Sequence, residues 1–126
     1  MGYYTSFTLN VDANGESVPG ILQALEELEV FDTLYDNSKT VTCYTYTKWY
    51  SSTDDLLQIS IRFPAAMFTL EGDGEESDDF WMAYIQNGAI QECPGRIIYD
   101  DYDQKKMTQR IQPLAPNFKA PVADLI

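Results

Sequence analysis

Histidine is absent from all 126 residues. Its absence removes every Ser-His or Cys-His nucleophile pair and every imidazole general base, while acid–base work by carboxylates alone remains possible. Cysteine is scarce: Cys43 and Cys93 form no CxxC pair and have no histidine to join them in a zinc site. Both are expected to stay free thiols in a reducing compartment, which implies a cytoplasmic protein. Basic side chains are also few, eight against 20 acidic ones, for a net charge of −12. An acidic body repels phosphate backbones, so direct nucleic-acid binding is not expected. No apolar run approaches the ~20 residues of a membrane span. Met1 to Val11 lacks the basic and continuous apolar regions of a signal peptide.

Hydrophobic residues make up 44% of the chain and aromatics 13%. That is too apolar for a disordered protein and suits one domain with one core. The charge is uneven. Residues 1–104 hold 19 acids and four bases, a balance of −15, while residues 105–126 hold Lys105, Lys106, Arg110 and Lys119 against Asp124, a balance of +3. Three prolines follow from Pro113 onward. The division expected is a single acidic domain over 1–104 and a basic, proline-containing tail over 105–126.

Tyr3 to Val11 alternates Tyr3, Thr5, Phe7, Leu9 and Val11 with polar residues, the pattern of a half-buried strand. Ser17 stands at an N-cap position before Val18, Ile21, Leu22, Leu25 and Leu28, an amphipathic helical stripe. Residues 31–39 are turn-rich and receive no assignment. Thr40 to Trp49, rich in β-branched and aromatic residues, predicts a strand. Ser52 and Asp55 resemble a capping box, with Leu56, Leu57, Ser60, Ile61 and Phe63 as a second helical stripe ended by Pro64, although Leu57 to Phe63 also alternates as a strand would. Ala66 to Glu71 reads as a strand and Glu71 to Asp79 as an acidic loop. Phe80–Gln86 and Ala89–Cys93 flank Asn87-Gly88, a strong two-residue hairpin signal. Arg96 to Tyr99 is a candidate edge strand. The order predicts an α+β fold with a ferredoxin-like, antiparallel or mixed sheet, two helices on one face and a C-terminal hairpin.

Two residue sets stand out as candidate sites. Glu71, Asp73, Glu75, Glu76, Asp78 and Asp79 put six carboxylates into nine residues. Such clusters bind hard cations or basic partners, or stay solvated. This one is not an EF-hand loop: counted from Asp73, the sixth position is Asp78 rather than glycine and the twelfth is Tyr84 rather than glutamate. The second set is aromatic: Tyr44, Tyr46, Trp49 and Tyr50 near the Thr40–Trp49 strand, and Phe80, Trp81 and Tyr84 in the hairpin. Neighbours such as Phe80 and Trp81 point to opposite faces, so most serve the core and the remainder an interface. Gly72-x-Gly74 lacks the lysine and following helix of a phosphate loop.

Lys48-Trp49-Tyr50, Phe63-Pro64, the run from Phe68 to Glu76, Asp79-Phe80-Trp81, Tyr84 and Asn87-Gly88 resemble a group of small bacteriophage and mobile-element proteins. The element order over residues 40–90 is similar to that of the Api92-like ferredoxin-fold proteins. The resemblance implies a fold and an origin, and no catalytic residues. Together these features lead to the expectation of a non-enzymatic phage or mobile-element accessory protein without cofactors. It would bind a host protein with a basic surface, as an anti-defence inhibitor or nucleic-acid mimic. The expected contacts are Glu71, Asp73, Glu75, Glu76, Asp78, Asp79, Trp49, Tyr50 and Trp81. The alternatives are a cation-binding module or carboxylate enzyme built on residues 71–79, and a self-associating structural protein.

Overall fold

A computed structural model describes residues 2–112. Strand β1 spans Thr5–Asp12, helix α1 Val18–Glu27, β2 Thr33–Asp36, β3 Thr40–Thr47, α2 Ser52–Ser60, β4 Met67–Gly74, β5 Phe80–Gln86 and β6 Ala89–Pro94. The six strands form one sheet in the order β2-β3-β1-β4-β5-β6, and every neighbouring pair is antiparallel. The described residues thus form an α+β fold of two helices and a six-stranded antiparallel sheet.

The two-residue period of the strands sorts their side chains by face. Phe7, Leu9 and Val11 stand opposite Thr45, Cys43 and Val41 on β3, and opposite Gly72, Leu70 and Phe68 on β4. Ala83 and Ile85 of β5 extend the same row. This face meets Val18, Ile21, Ala24 and Leu25 of α1 and Leu56 and Ile59 of α2 in one core. Burying a side chain such as Leu25 or Phe68 contributes about 1.5–3 kcal/mol, so these residues carry most of the fold's stability.

Helix α1 starts as its sequence demands. Ser17 is the N-cap, and its Oγ accepts the Gly20 N–H at 3.1 Å. The start of α2 differs from the expected capping box. Ser51 occupies the N-cap position, while Ser52 lies inside the helix and is buried. Asp55 is engaged elsewhere: its Oδ2 accepts the Trp49 indole N–H at 2.7 Å and the Ser51 hydroxyl at 2.9 Å. The inward stripe is Leu56, Ile59 and Ser60, leaving Ile61 exposed beyond the last turn.

One unassigned segment and two further expectations are settled by the structure. Residues 33–36, left unassigned, form edge strand β2, whose link to β3 is closed by Asn37 Oδ1 accepting the Lys39 and Thr40 N–H groups at 2.8 Å each. The acidic segment is not a loop from Glu71: β4 continues to Gly74, paired with β1 and, as far as Asp73, with β5. Gly72 has no room for a Cβ, because the Trp81 indole occupies that space over the core face. Arg96–Tyr99 forms no strand; after β6 the chain leaves the sheet, and among the described residues that follow the one regular element is a short 3-10 turn over Gln104–Lys106. The turn between β5 and β6 uses Asn87 (φ 46°) and Gly88 (φ 78°), the paired left-handed conformations of a two-residue turn. Ser60 Oγ fastens it to α2 by accepting the Gly88 N–H at 2.9 Å while donating to the Leu57 carbonyl at 2.7 Å. The expected tail lies partly outside the described residues, from 113 onward. No helix among the described residues is long and apolar enough to cross a membrane.

Candidate functional site

Among the described residues, no helix covers the second face of the sheet. The strand registers place on it Thr33 and Tyr35 of β2, Thr42, Tyr44 and Tyr46 of β3, and Ser6, Thr8 and Asn10 of β1. Beyond β1 come Thr69, Glu71 and Asp73 of β4, then Phe80, Met82 and Tyr84 of β5, with Cys93 on β6. Small hydroxyl residues therefore hold the middle and larger side chains flank them. On one side a cleft of about 590 Å³ is lined by Ser6, Thr8, Glu71, Asp73, Phe80 and Met82, among others. On the other, a depression of about 400 Å³ is lined by Ser6, Thr8, Tyr44 and Tyr46. Ser6 and Thr8 belong to both, so the two join as a shallow trough over β1.

The trough is acidic and aromatic. None of its strand positions holds a lysine or arginine. Tyr4 and Tyr46 pack with ring centroids 5.2 Å apart, and Tyr35 and Tyr44 with centroids 6.2 Å apart. At the margin, Lys48 Nζ sits 5.2 Å from the Tyr4 ring centroid, within cation–π range. The aromatic end of this face already accommodates an ammonium group.

The carboxylates divide into two sets. Glu71 and Asp73 are exposed on β4 and face the trough. Glu75, Glu76, Asp78 and Asp79 lie in the turn after β4, which is closed by the Gly74 N–H donating to the Asp79 carbonyl at 2.7 Å. The N-terminal segment clamps this turn. Tyr3 donates its hydroxyl to Asp79 Oδ2 at 2.7 Å and accepts the Glu76 N–H at 3.0 Å. The Tyr4 N–H reaches Glu75 Oε1 at 3.0 Å. The Glu76 N–H lowers the pKa of the Tyr3 phenol, but the Asp79 hydrogen bond, desolvation and the Asp79 and Glu76 charges outweigh it and leave a net upward shift. Among the described residues, no group of three or more His, Cys, Asp or Glu side chains is placed to hold a metal ion.

The aromatic candidates separate too. Trp49 is 5% exposed, packed edge-on against Phe7 and Phe31. Trp81 is half-buried beneath Gly72 and edge-on to Phe7. Tyr50 is 72% exposed, and its hydroxyl accepts the Tyr3 N–H at 2.7 Å. Tyr50 and the turn carboxylates thus share an N-terminal strap, whereas the two tryptophans belong to the packed side of the sheet. Sequence reasoning passed over Ser6 and Thr8. Their signal is weak, since small polar residues at outward positions of a central strand matter only once flanking strands carry large ones.

Cys43 lies fully buried on β3, and burial pushes its thiol up to about 12. Cys93 is half-buried at the edge of the cleft. No family model, curated protein or solved structure matches the chain.

Proposed function

We propose that this chain is a non-enzymatic phage or mobile-element accessory protein that docks a basic segment of a host protein in the trough over β1. The single observation that carries this reading is the composition of that trough: carboxylates and tyrosines around a hydroxyl floor, with no basic side chain at any strand position. Arginine and lysine complement both components, by charge with Glu71 and Asp73 and by cation–π contact with the tyrosines. The −15 balance of residues 1–104 steers a cationic partner toward the surface. A host factor whose basic groove ordinarily holds nucleic acid is the kind of partner this suits, with carboxylates standing where phosphates would be. The solvent-open setting of Glu71 and Asp73 favours recognition over catalysis.

The fold reading that accompanies it is a ferredoxin-like unit, β1-α1-β2-β3-α2-β4, extended by a β5–β6 hairpin. Its support is the strand order β2-β3-β1-β4 within the sheet and the two helices sharing one core.

Titration with a fluorescein-labelled nona-arginine peptide tests the function. Saturable binding that weakens steeply with salt is expected, because the Debye length shortens to ~3 Å at 1 M ionic strength. A nona-glutamate peptide and a single-stranded oligonucleotide serve as controls. Equal binding of the oligonucleotide would overturn the proposal in favour of base stacking on the tyrosines.

A further inference from the structure

After β6 the chain becomes an arm that its own body does not cover. Ile97, Ile98, Tyr99, Tyr102, Met107 and Ile111 are between 62% and 84% exposed. Scattered exposed apolar residues need no explanation, but six within fifteen residues mark a contact surface. Ile97-Ile98-Tyr99 is also a run of strong strand formers that joins no strand pairing. Among the described residues, every hydrogen bond of the 96–112 segment is internal to it. The Lys105 N–H donates to Asp103 Oδ1 at 2.9 Å, the Lys106 N–H to the Asp103 carbonyl at 2.9 Å, and the Gln109 side chain to the Ile111 carbonyl. Among the described residues its one ion pair is Lys106–Asp100 at 3.4 Å, both partners exposed. The arm's own turn therefore spends its polar groups locally and carries its apolar side chains away from the body.

The composition of the arm matches the trough. Asp100, Asp101 and Asp103 make the first half of the arm acidic, but residues 105–112 carry Lys105, Lys106 and Arg110 and no acid, and they offer these cations to a face whose charged strand positions hold only carboxylates, with Lys48 at its margin; the arm's isoleucines and tyrosines offer apolar area to Phe80, Met82 and the tyrosines of β3. We propose that the arm of one copy occupies the trough of a second copy, in a reciprocal two-fold exchange. This rests on the reading of the trough as a site for basic segments, and it makes the dimer a self-occupied state that a host partner must displace. A reciprocal contact uses the same two patches on both copies and closes without leaving a free surface. Six large apolar side chains per arm supply area on the order of the ~800 Å² per partner that a standard interface buries.

Sedimentation equilibrium of the full chain tests the exchange. A mass twice the 14.4 kDa of one chain is expected at tens of micromolar. The Ile97→Ser/Ile98→Ser/Tyr99→Ser variant, altered only where the arm is exposed, should weaken the dimer at least tenfold. The Glu71→Gln/Asp73→Asn variant should weaken it as well. Circular dichroism confirms that each variant keeps its fold. A monomeric wild-type chain at 100 μM, or a dimer indifferent to the arm substitutions, overturns the proposal. A labelled peptide of residues 96–111, titrated into the monomeric arm variant, separates this inference from the one beneath it. If nona-arginine binds and the arm peptide does not, only the exchange is wrong. If the arm peptide binds and nona-arginine does not, the trough is a self-association site and the host-partner reading fails.

Discussion

Replacing Asp55 should expose how the β3–α2 corner is held. Its carboxylate accepts the Trp49 indole N–H at 2.7 Å and the Ser51 hydroxyl at 2.9 Å, and it lies in the first turn of α2. A hydrogen bond to a charged group contributes about 1.5–3 kcal/mol, and a negative charge at a helix N-terminus about 0.3–1 kcal/mol. Trp49 is almost wholly buried, so no water readily replaces the lost acceptor. Asp55→Ala should therefore cost about 2–4 kcal/mol. Asp55→Asn, which keeps an acceptor oxygen and loses the charge, should cost about half as much. Trp49→Phe removes the donor together with part of the packing against Phe7 and Phe31. In the Trp49→Phe/Asp55→Ala double variant the second substitution should then cost about 1–2 kcal/mol less than it does alone. Urea unfolding followed by far-ultraviolet circular dichroism measures the four variants against the wild type, with an unchanged m-value showing that the denatured state is comparable. Full additivity of the two substitutions, or an Asp55→Ala loss below about 0.5 kcal/mol, would refute the account of this corner.

Ser60→Ala should cost about 1–2 kcal/mol in the same assay, since it leaves the Gly88 N–H without its partner from α2. Hydrogen exchange at Gly88 should accelerate with it. Gly72→Val forces a side chain into the space of the Trp81 indole and should cost at least about 1–3 kcal/mol, with a change in tryptophan fluorescence. Unchanged fluorescence and stability would show that Trp81 does not pack there. Cys43 gives a pH signature: burial raises its thiol from 9.0 to about 12, so the fold favours the neutral form. Its contribution is complete below pH 9 and is lost as pH rises from 9 toward 12, reaching about 4 kcal/mol at the top of that window. The wild type should lose more stability between pH 8 and 11 than Cys43→Ala does, a comparison that thermal melts provide.

The elements that were legible in the sequence are those whose periodicity and punctuation agree. In α1, Ser17 and the Val18–Ile21–Leu25 stripe point to the same start and face. In β1 every second residue from Thr5 to Val11 is buried. Strand β2 was not legible because a four-residue edge strand, half-buried at most, leaves no alternation to detect. The end of β4 was hidden for a different reason. Glu71 and Asp73 point outward as alternation requires, but the inward positions are Gly72 and Gly74, and Trp81 from the neighbouring strand fills the space over Gly72. A pattern whose apolar half is supplied by another strand reads as a loop. The carboxylates were therefore visible as a cluster, while their division between trough and turn depended on strand register. Trp49 lies past the end of β3, where alternation no longer says which way a side chain points. It is buried by edge-on packing against Phe7 and Phe31, with its indole N–H satisfied by Asp55.

The central claim concerns where a cationic segment binds, and two charge-matched variants test it most directly. Glu71→Gln/Asp73→Asn removes two carboxylates from the trough. Glu26→Gln/Glu27→Gln removes two exposed carboxylates from α1, across the sheet. Both change the net charge from −12 to −10. Affinity for nona-arginine at near-physiological ionic strength, where the Debye length is ~8 Å, should fall at least fivefold for the trough variant and less than twofold for the helix variant. Equal losses in the two variants would contradict the account, because the peptide would then be reading total charge rather than the trough over β1.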